Sequence, residues 1–298
     1  MRRAGLKWSE RRMRFLTFKS KGVRGTGVVD ASGAVRGLLA GDNRFPGTLD
    51  QLVVAGAPAL AAAGKDLAAG SLFDPQQVEL LPPLMASPKI ICIGLNYSAH
   101  ADEGGFQPPE YPAVFARFNS SLIGHRAPLV RPRVSDKFDY EGELVVVIGR
   151  GGRAISKDAA LSHVIGYSIF NDASVRDYQM KSTQWTMGKN FDGTGAFGPH
   201  LVTADELPAG GAGLRLQTRL NGKVVQDAST AELIFDVKTL ISLLSEAFTL
   251  ESGDIIVSGT PSGVGFARKP PLWMKAGDVC EVEIEGVGTL VNPVADEG

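Results

Sequence analysis

The stretch Asp139-Tyr140-Glu141-Gly142-Glu143-Leu144-Val145-Val146-Val147-Ile148 decides how this chain folds. Its second half is an unbroken apolar run rich in β-branched residues, the pattern of a strand buried on both faces. Its first half carries acids straight into that strand. Side chains alternate along a strand, so Glu141 and Glu143 point the same way. Working outward, residues 89–95 (KIICIGL) and 164–170 (VIGYSIF) read as further buried strands. Residues 214–220 alternate in period two, and Asn221-Gly222 turns the chain into a partner strand at 223–226. Residues 254–258 and 279–284 complete a strand-rich body. One helix is clear: after Asp236 as N-cap, Val237, Leu240, Ile241 and Leu244 fall at i, i+3, i+4 and i+7. No regular crossover helices space the longest strands. The fold class is therefore α+β, mostly β.

The first third is smaller and mixed. Strands are expected at 14–18, 23–29 and 34–39, the last two joined through Asp30-Ala31-Ser32-Gly33. An Ala-rich helical stretch at 50–63 is interrupted by Gly56 and Pro58. Prolines then crowd at Pro82, Pro83 and Pro88, where they remove donors and favour extended chain. This gives an extension at 1–12, a small N-terminal domain at 13–82, a linker at 83–88 and a catalytic domain at 89–298. Residues 1–12 are basic but lack the apolar run of a secretory signal, so a dispensable extension is expected there.

The 298 residues carry 31 Lys+Arg against 32 Asp+Glu, a net charge of −1. No basic field is present to hold a nucleic acid or an anionic membrane. No run approaches the ~18 apolar residues of a membrane span. Two cysteines, Cys92 and Cys280, exclude a disulfide framework and point to a reducing, cytoplasmic setting. Gly193-Thr194-Gly195-Ala196-Phe197-Gly198 matches G-x-G-x-x-G, but neither flank offers the strand-to-helix context that phosphate binding needs. His125, His163 and His200 stand alone and read as structural.

Two groups of residues carry chemistry. Asp172 ends the 164–170 run; if that strand neighbours 144–148, three carboxylates converge. An all-oxygen set of this kind suits Mg²⁺ or Mn²⁺, with Ca²⁺ a weaker fit. A solvated strand end explains the same spacing. Likewise, if residues 98–103 form a helical turn, stopped by Gly104-Gly105, then His100 and Glu103 share a face. A carboxylate beside an imidazole fixes its tautomer and raises its basicity, as a general base requires. An incidental surface pair is the alternative.

Together these segments resemble the fumarylacetoacetate hydrolase family, in its acylpyruvate hydrolase and oxaloacetate decarboxylase or tautomerase branch. Five motifs fall in the family's order: Asn96-Tyr97-x-x-His100-x-x-Glu103, Asp139-Tyr140-Glu141-Gly142-Glu143, the run from Asn171-Asp172 through Arg176 to Gln179, Gly188-Lys189-Asn190-Phe191-Asp192, and Thr260-Pro261-Ser262-Gly263-Val264-Gly265. The resemblance implies a β-sandwich or β-roll catalytic fold behind a small N-terminal domain, and a homodimer. It implies Mg²⁺ or Mn²⁺ on Glu141, Glu143 and Asp172. It implies catalysis by His100, Glu103 and Lys189, and substrate contacts from Tyr97, Arg176, Gln179 and Thr260. The implied substrates are 2-oxo acids. Hydrolysis of the C3–C4 bond of a 2,4-dioxo acid is the expected reaction, with His100 activating water. Oxaloacetate decarboxylation and 2-oxo acid tautomerisation or isomerisation use the same site. A non-catalytic metal-binding scaffold is the alternative of another class. The chain departs from the family pattern at two places. Arg117 stands where many members have Lys, and the run from Gly193 to Gly198 replaces a stretch closer to T-F-x-P-x-G.

Overall fold

A computed structural model of the chain describes residues 13–29, 33–103 and 109–298. The extension expected at 1–12, most of the turn at 30–33 and the Gly104-Gly105 stop lie outside these residues. Among the described residues, a twelve-stranded sheet forms the centre. Its middle strand is Gly142–Ile148, buried at every residue. Leu144, Val146 and Ile148 enter one hydrophobic core, while Val145 and Val147 enter another. That division explains the unbroken apolar run: both faces of the strand are covered. Gly142–Ile148 pairs antiparallel with Val164–Asp172 on one side and with Ile255–Val257 on the other. Ile90–Gly94 lies beyond Ile255–Val257 in parallel, and Ala113–Arg117 closes that edge.

The first core is capped by a five-stranded sheet and a helix. Arg215–Leu220 pairs with Lys223–Ser229 through Asn221 (φ 52°) and Gly222 (φ 76°), the left-handed pair that a type I′ hairpin needs. Val279–Ile284, Gly288–Asp296 and Leu129–Arg131 complete this sheet. The helix Val237–Ala247 is capped by Asp236, whose side chain accepts from Thr239 N at 2.9 Å. It turns Val237, Leu240, Ile241 and Leu244 into the core.

The second core is covered by the N-terminal helices. The Ala-rich stretch, expected to be interrupted at Gly56 and Pro58, is two helices, Leu49–Ala55 and Ala57–Ala68. Gly56 takes φ 89°, which closes the first helix, and Pro58 opens the second. Leu49, Leu52, Val53, Leu60 and Leu67 pack here against Val145 and Val147, each burial contributing about 1.5–3 kcal/mol. The strand Arg14–Ser20 pairs with Gly195–Thr203, so hydrogen bonding and packing both cross the proline-rich segment 83–88. The run from Gly193 to Gly198 feeds a strand, not a helix, and offers no helix N-terminus to a phosphate. Cys92 and Cys280 are buried and unpaired. No helix among the described residues is long and apolar enough to cross a membrane.

Candidate active site

The sheet register assembles the carboxylates. Glu143 pairs with Phe170 and Gly142 with Asn171, and Asp172 N donates to Glu141 O at 2.8 Å. Asp172 therefore sits opposite Glu141 on the neighbouring strand. Ligand oxygens of Glu141, Glu143 and Asp172 lie within 4.8 Å of one another, all buried. The convergence that the sequence made conditional on neighbouring strands is present, and the solvated strand end is excluded.

Buried charge of this density must be balanced. Lys189 Nζ donates to Glu141 at 2.6 Å and to Asp172 at 2.7 Å. Burial would lower the Lys189 pKa, but Asp172 and Glu141 outweigh it and hold the group above its ordinary value. Lys189 is therefore a fixed ammonium. Burial works against ionised Glu141 too, yet Lys189 and Arg176 hold its carboxyl well below the usual range. Glu143 goes the other way: burial, then Asp172 and Glu141, push it well above. Around Asp139, Glu141, Glu143 and Asp172 stand the buried cations Arg117, Arg176 and Lys189. Among the described residues Glu143 pairs with no cation, and it accepts from Gly259 N. Three convergent buried oxygen donors fit a hard divalent cation.

The histidine pair is also present. Ser98–Glu103 is a short helix, and His100 Nδ1 lies 3.0 Å from Glu103 Oε1. Glu103 has a second role absent from the sequence reading. Its two oxygens accept from Gly263 N at 2.9 and 2.8 Å, tying the dyad to the loop after Thr260. Gly259 in that loop has φ 104°, and a Cβ there would lie 2.7 Å from Asn96 Cβ. Only glycine lets the two segments approach this closely.

A cavity of about 30 Å³ joins the parts; His100, Glu141, Glu143, Arg176, Gln179, Lys189 and Thr260 all border it. Thr260 Oγ1 is fixed by a bond to Gly142 O at 3.0 Å and one from Gln226 at 2.8 Å. Arg176 donates from Nε to Asp139 (2.8 Å) and from Nη1 to Glu141 (2.7 Å) and Gln179 (2.9 Å). Its buried Nη2 has no partner among the described residues. Tyr97 is placed differently. It is buried and bridges Leu233 through the main chain, and it does not border the cavity.

Three contributors went unassigned in the sequence. Asp139 accepts from Gly265 N (2.7 Å), Phe266 N (3.0 Å) and Arg176, so it sets the loop and the guanidinium together. Gln226 braces Gly142 and Thr260 from the hairpin. Trp185 walls the cavity. Asp139 lies inside a quoted motif, so its signal was visible; Gln226 and Trp185 depend on contacts far apart in sequence.

Known proteins resemble this chain in sequence and fold. A family model described as fumarylacetoacetate (FAA) hydrolase C-terminal matches residues 89–295. An oxaloacetate tautomerase, mitochondrial, of Rattus norvegicus is 39% identical over 272 residues, 91% of this chain and 84% of that protein. The solved fumarylacetoacetate hydrolase of Exiguobacterium antarcticum superposes with a TM-score of 0.84 at 35% identity, covering 96% of this chain and 100% of that one. A 5-carboxymethyl-2-hydroxymuconate delta-isomerase of Mycobacterium smegmatis gives 0.75 at 31%, covering 96% and 100%. These matches set aside the scaffold-only alternative, because the relatives are enzymes. Sequence, fold and site thus converge on one conclusion: this chain is an enzyme of the fumarylacetoacetate hydrolase family.

Proposed function

We propose that this enzyme interconverts the keto and enol forms of a small 2-oxo dicarboxylic acid, with oxaloacetate as the first candidate. The observation that carries the reading is one cavity bordered by the carboxylate cluster, by His100 and by an arginine with a spare donor. Mg²⁺ or Mn²⁺ held by Glu141, Glu143 and Asp172 would supply Lewis acidity toward the 2-oxo group. Glu103 holds Nδ1 of His100, which leaves Nε2 as the base. His100 takes a proton from C3, the 2-oxygen gains one from solvent, and His100 returns its own to solvent, so the imidazole is restored. Arg176 Nη2 receives a carboxylate, and Gln179 fixes the guanidinium that presents it. Lys189, held as an ammonium, offsets charge that builds on the substrate. It acts as a cation, not as an amine nucleophile.

Hydrolysis of the C3–C4 bond of a 2,4-dioxo acid is the second reading. The His100–Glu103 pair favours it, because such a pair suits water activation. The rat relative is named an oxaloacetate tautomerase, which favours tautomerisation. The homodimer and the cytoplasmic location expected from the sequence belong to this proposal, although that relative is named as mitochondrial.

The test compares oxaloacetate with a series of acylpyruvates, each with Mn²⁺, with Mg²⁺ and with EDTA, while CO₂ is recorded. Metal-dependent loss of enol absorbance without CO₂ or a second acid is the expected result. Metal-dependent pyruvate plus a carboxylic acid at higher kcat/KM would establish the hydrolase. Metal-dependent CO₂ from oxaloacetate would establish the decarboxylase.

A further inference from the structure

The two departures from the family pattern, Arg117 and the run from Gly193 to Gly198, touch each other. Arg117 ends the edge strand Ala113–Arg117 and is 3% exposed. Its Nε donates to Asp172 Oδ1. Nη2 donates to Ala173 O at 2.6 Å, and Nη1 reaches Ser121 Oγ (3.2 Å) and Thr194 Oγ1 (3.3 Å). The guanidinium also lies 5.5 Å from the Phe170 ring centroid. Every nitrogen of the fork is engaged, so the group cannot swing aside.

Gly195 is the cross-strand partner of Asp172. A Cβ on it would lie 2.6 Å from Arg117 Nη1 and 3.1 Å from the Phe170 ring. A flexible side chain would yield to such a clash at little cost. Arg117, pinned from four directions, has nowhere to go. Thr194, next to Gly195 in the same run, offers a hydroxyl that accepts from the same nitrogen.

We propose that Arg117 is a positioning residue that orients Asp172 for metal binding, and that Thr194 and Gly195 form its receptacle, so the three residues work as one unit. With Oδ1 tied to Arg117, Asp172 keeps Oδ2 toward Lys189 and Glu141. Lysine at 117 keeps the charge but has one nitrogen and no planar fork. It cannot hold Asp172, Ala173 O and Thr194 in one geometry. Residues that support metal ligands in this way typically contribute ~10–100-fold in affinity. The proposal rests on the metal centre described above and is independent of the choice between tautomerisation and hydrolysis.

The experiment is a Mn²⁺ titration of the full chain, read by electron paramagnetic resonance, on four proteins: the parent, Arg117→Lys, Gly195→Ala and the double variant. Circular dichroism and thermal melting accompany each. Arg117→Lys and Gly195→Ala are each expected to weaken Mn²⁺ at least ~10-fold. In the Arg117→Lys background, Gly195→Ala is expected to cost less than threefold, because the clashing guanidinium is gone. Thr194→Val removes one acceptor at nearly constant volume and is expected to weaken Mn²⁺ severalfold; it carries the test if Arg117→Lys fails to fold. Arg117→Lys within twofold of the parent, or additive losses in the double variant, would overturn the unit. If Arg117→Lys does not fold, unchanged affinity in Thr194→Val overturns it instead. A parent that binds no Mn²⁺ would overturn the metal centre and the unit together.

Discussion

Two buried arginines hold the carboxylate cluster, and they differ in what they leave over. Arg117 spends its fork on Asp172, Ala173, Ser121 and Thr194. Arg176 is anchored on Asp139, Glu141 and Gln179, yet its buried Nη2 has no partner among the described residues. A saturated guanidinium is part of the framework. One with a desolvated, unused donor costs stability unless a ligand completes it. On the proposed reading, the contrast separates the side of the cluster that would shape the metal site from the side that would receive an anion. It also explains why carboxylates this dense coexist: the folded chain supplies most of the counter-charge, and Glu143 keeps the deficit.

The largest effect should come from Glu143, the one carboxylate of the triad that pairs with no cation among the described residues. Glu143→Ala should weaken Mn²⁺ binding beyond the ~100-fold typical of residues that merely support a ligand. Titration of the purified variant checks this, and unchanged affinity would remove Glu143 from the ligand set.

Next is the contrast itself. Arg176→Lys should raise KM for oxaloacetate by about 30-fold, the ~2 kcal/mol expected when a buried charged hydrogen bond is lost. Its Mn²⁺ affinity should change less than that of Arg117→Lys. If the two variants shift KM and metal affinity in the same ratio, the division between framework and anion receiver fails.

A smaller effect is expected at the cavity wall. The Trp185 ring lies so close to Gly94 that a Cβ there would meet it at 2.2 Å. Trp185→Ala should open this side and raise kcat/KM for longer 2-oxo acids relative to oxaloacetate by ~10-fold or more, the range of one lost pocket contact. A chain-length series measures it, and an unchanged ratio would show that Trp185 does not set size.

The smallest effect lies away from the site. Burial, with Arg14 and His125 nearby, pulls the His200 pKa down to about 3, against 6.5 when unfolded. The folded chain keeps His200 neutral while the unfolded chain takes up a proton, so stability falls as pH drops below 6.5. His200→Gln should reduce that slope by about 1.4 kcal/mol per pH unit between pH 6 and 4.5. Urea melts across this range test it, and equal slopes would contradict the buried neutral ring.

The sequence exposed what depends on local rules. The strand at 144–148, the Asn221-Gly222 hairpin and the helix after Asp236 follow from periodicity and turn chemistry, and all three are present. Glu141 and Glu143 were legible as a same-face pair because strand alternation is local. Asp172 needs one further condition, a neighbouring strand, which the sheet register supplies. Contacts set by long-range register were not legible. Arg117 and Gly195 lie in separate departures from the family pattern, and nothing local places them against each other. Gln226 read as hairpin, and its amide turned out to brace Gly142 and Thr260. The interruption at Gly56 and Pro58 is legible in the residues, and it separates two helices.

The most direct test of metal-assisted enolisation is stopped-flow decay of oxaloacetate enol absorbance in three mixtures. These are the parent with Mn²⁺, the parent with EDTA, and His100→Ala with Mn²⁺. Acceleration in the first mixture alone is expected, with His100→Ala still binding Mn²⁺. Equal acceleration with EDTA, or by His100→Ala, would contradict it.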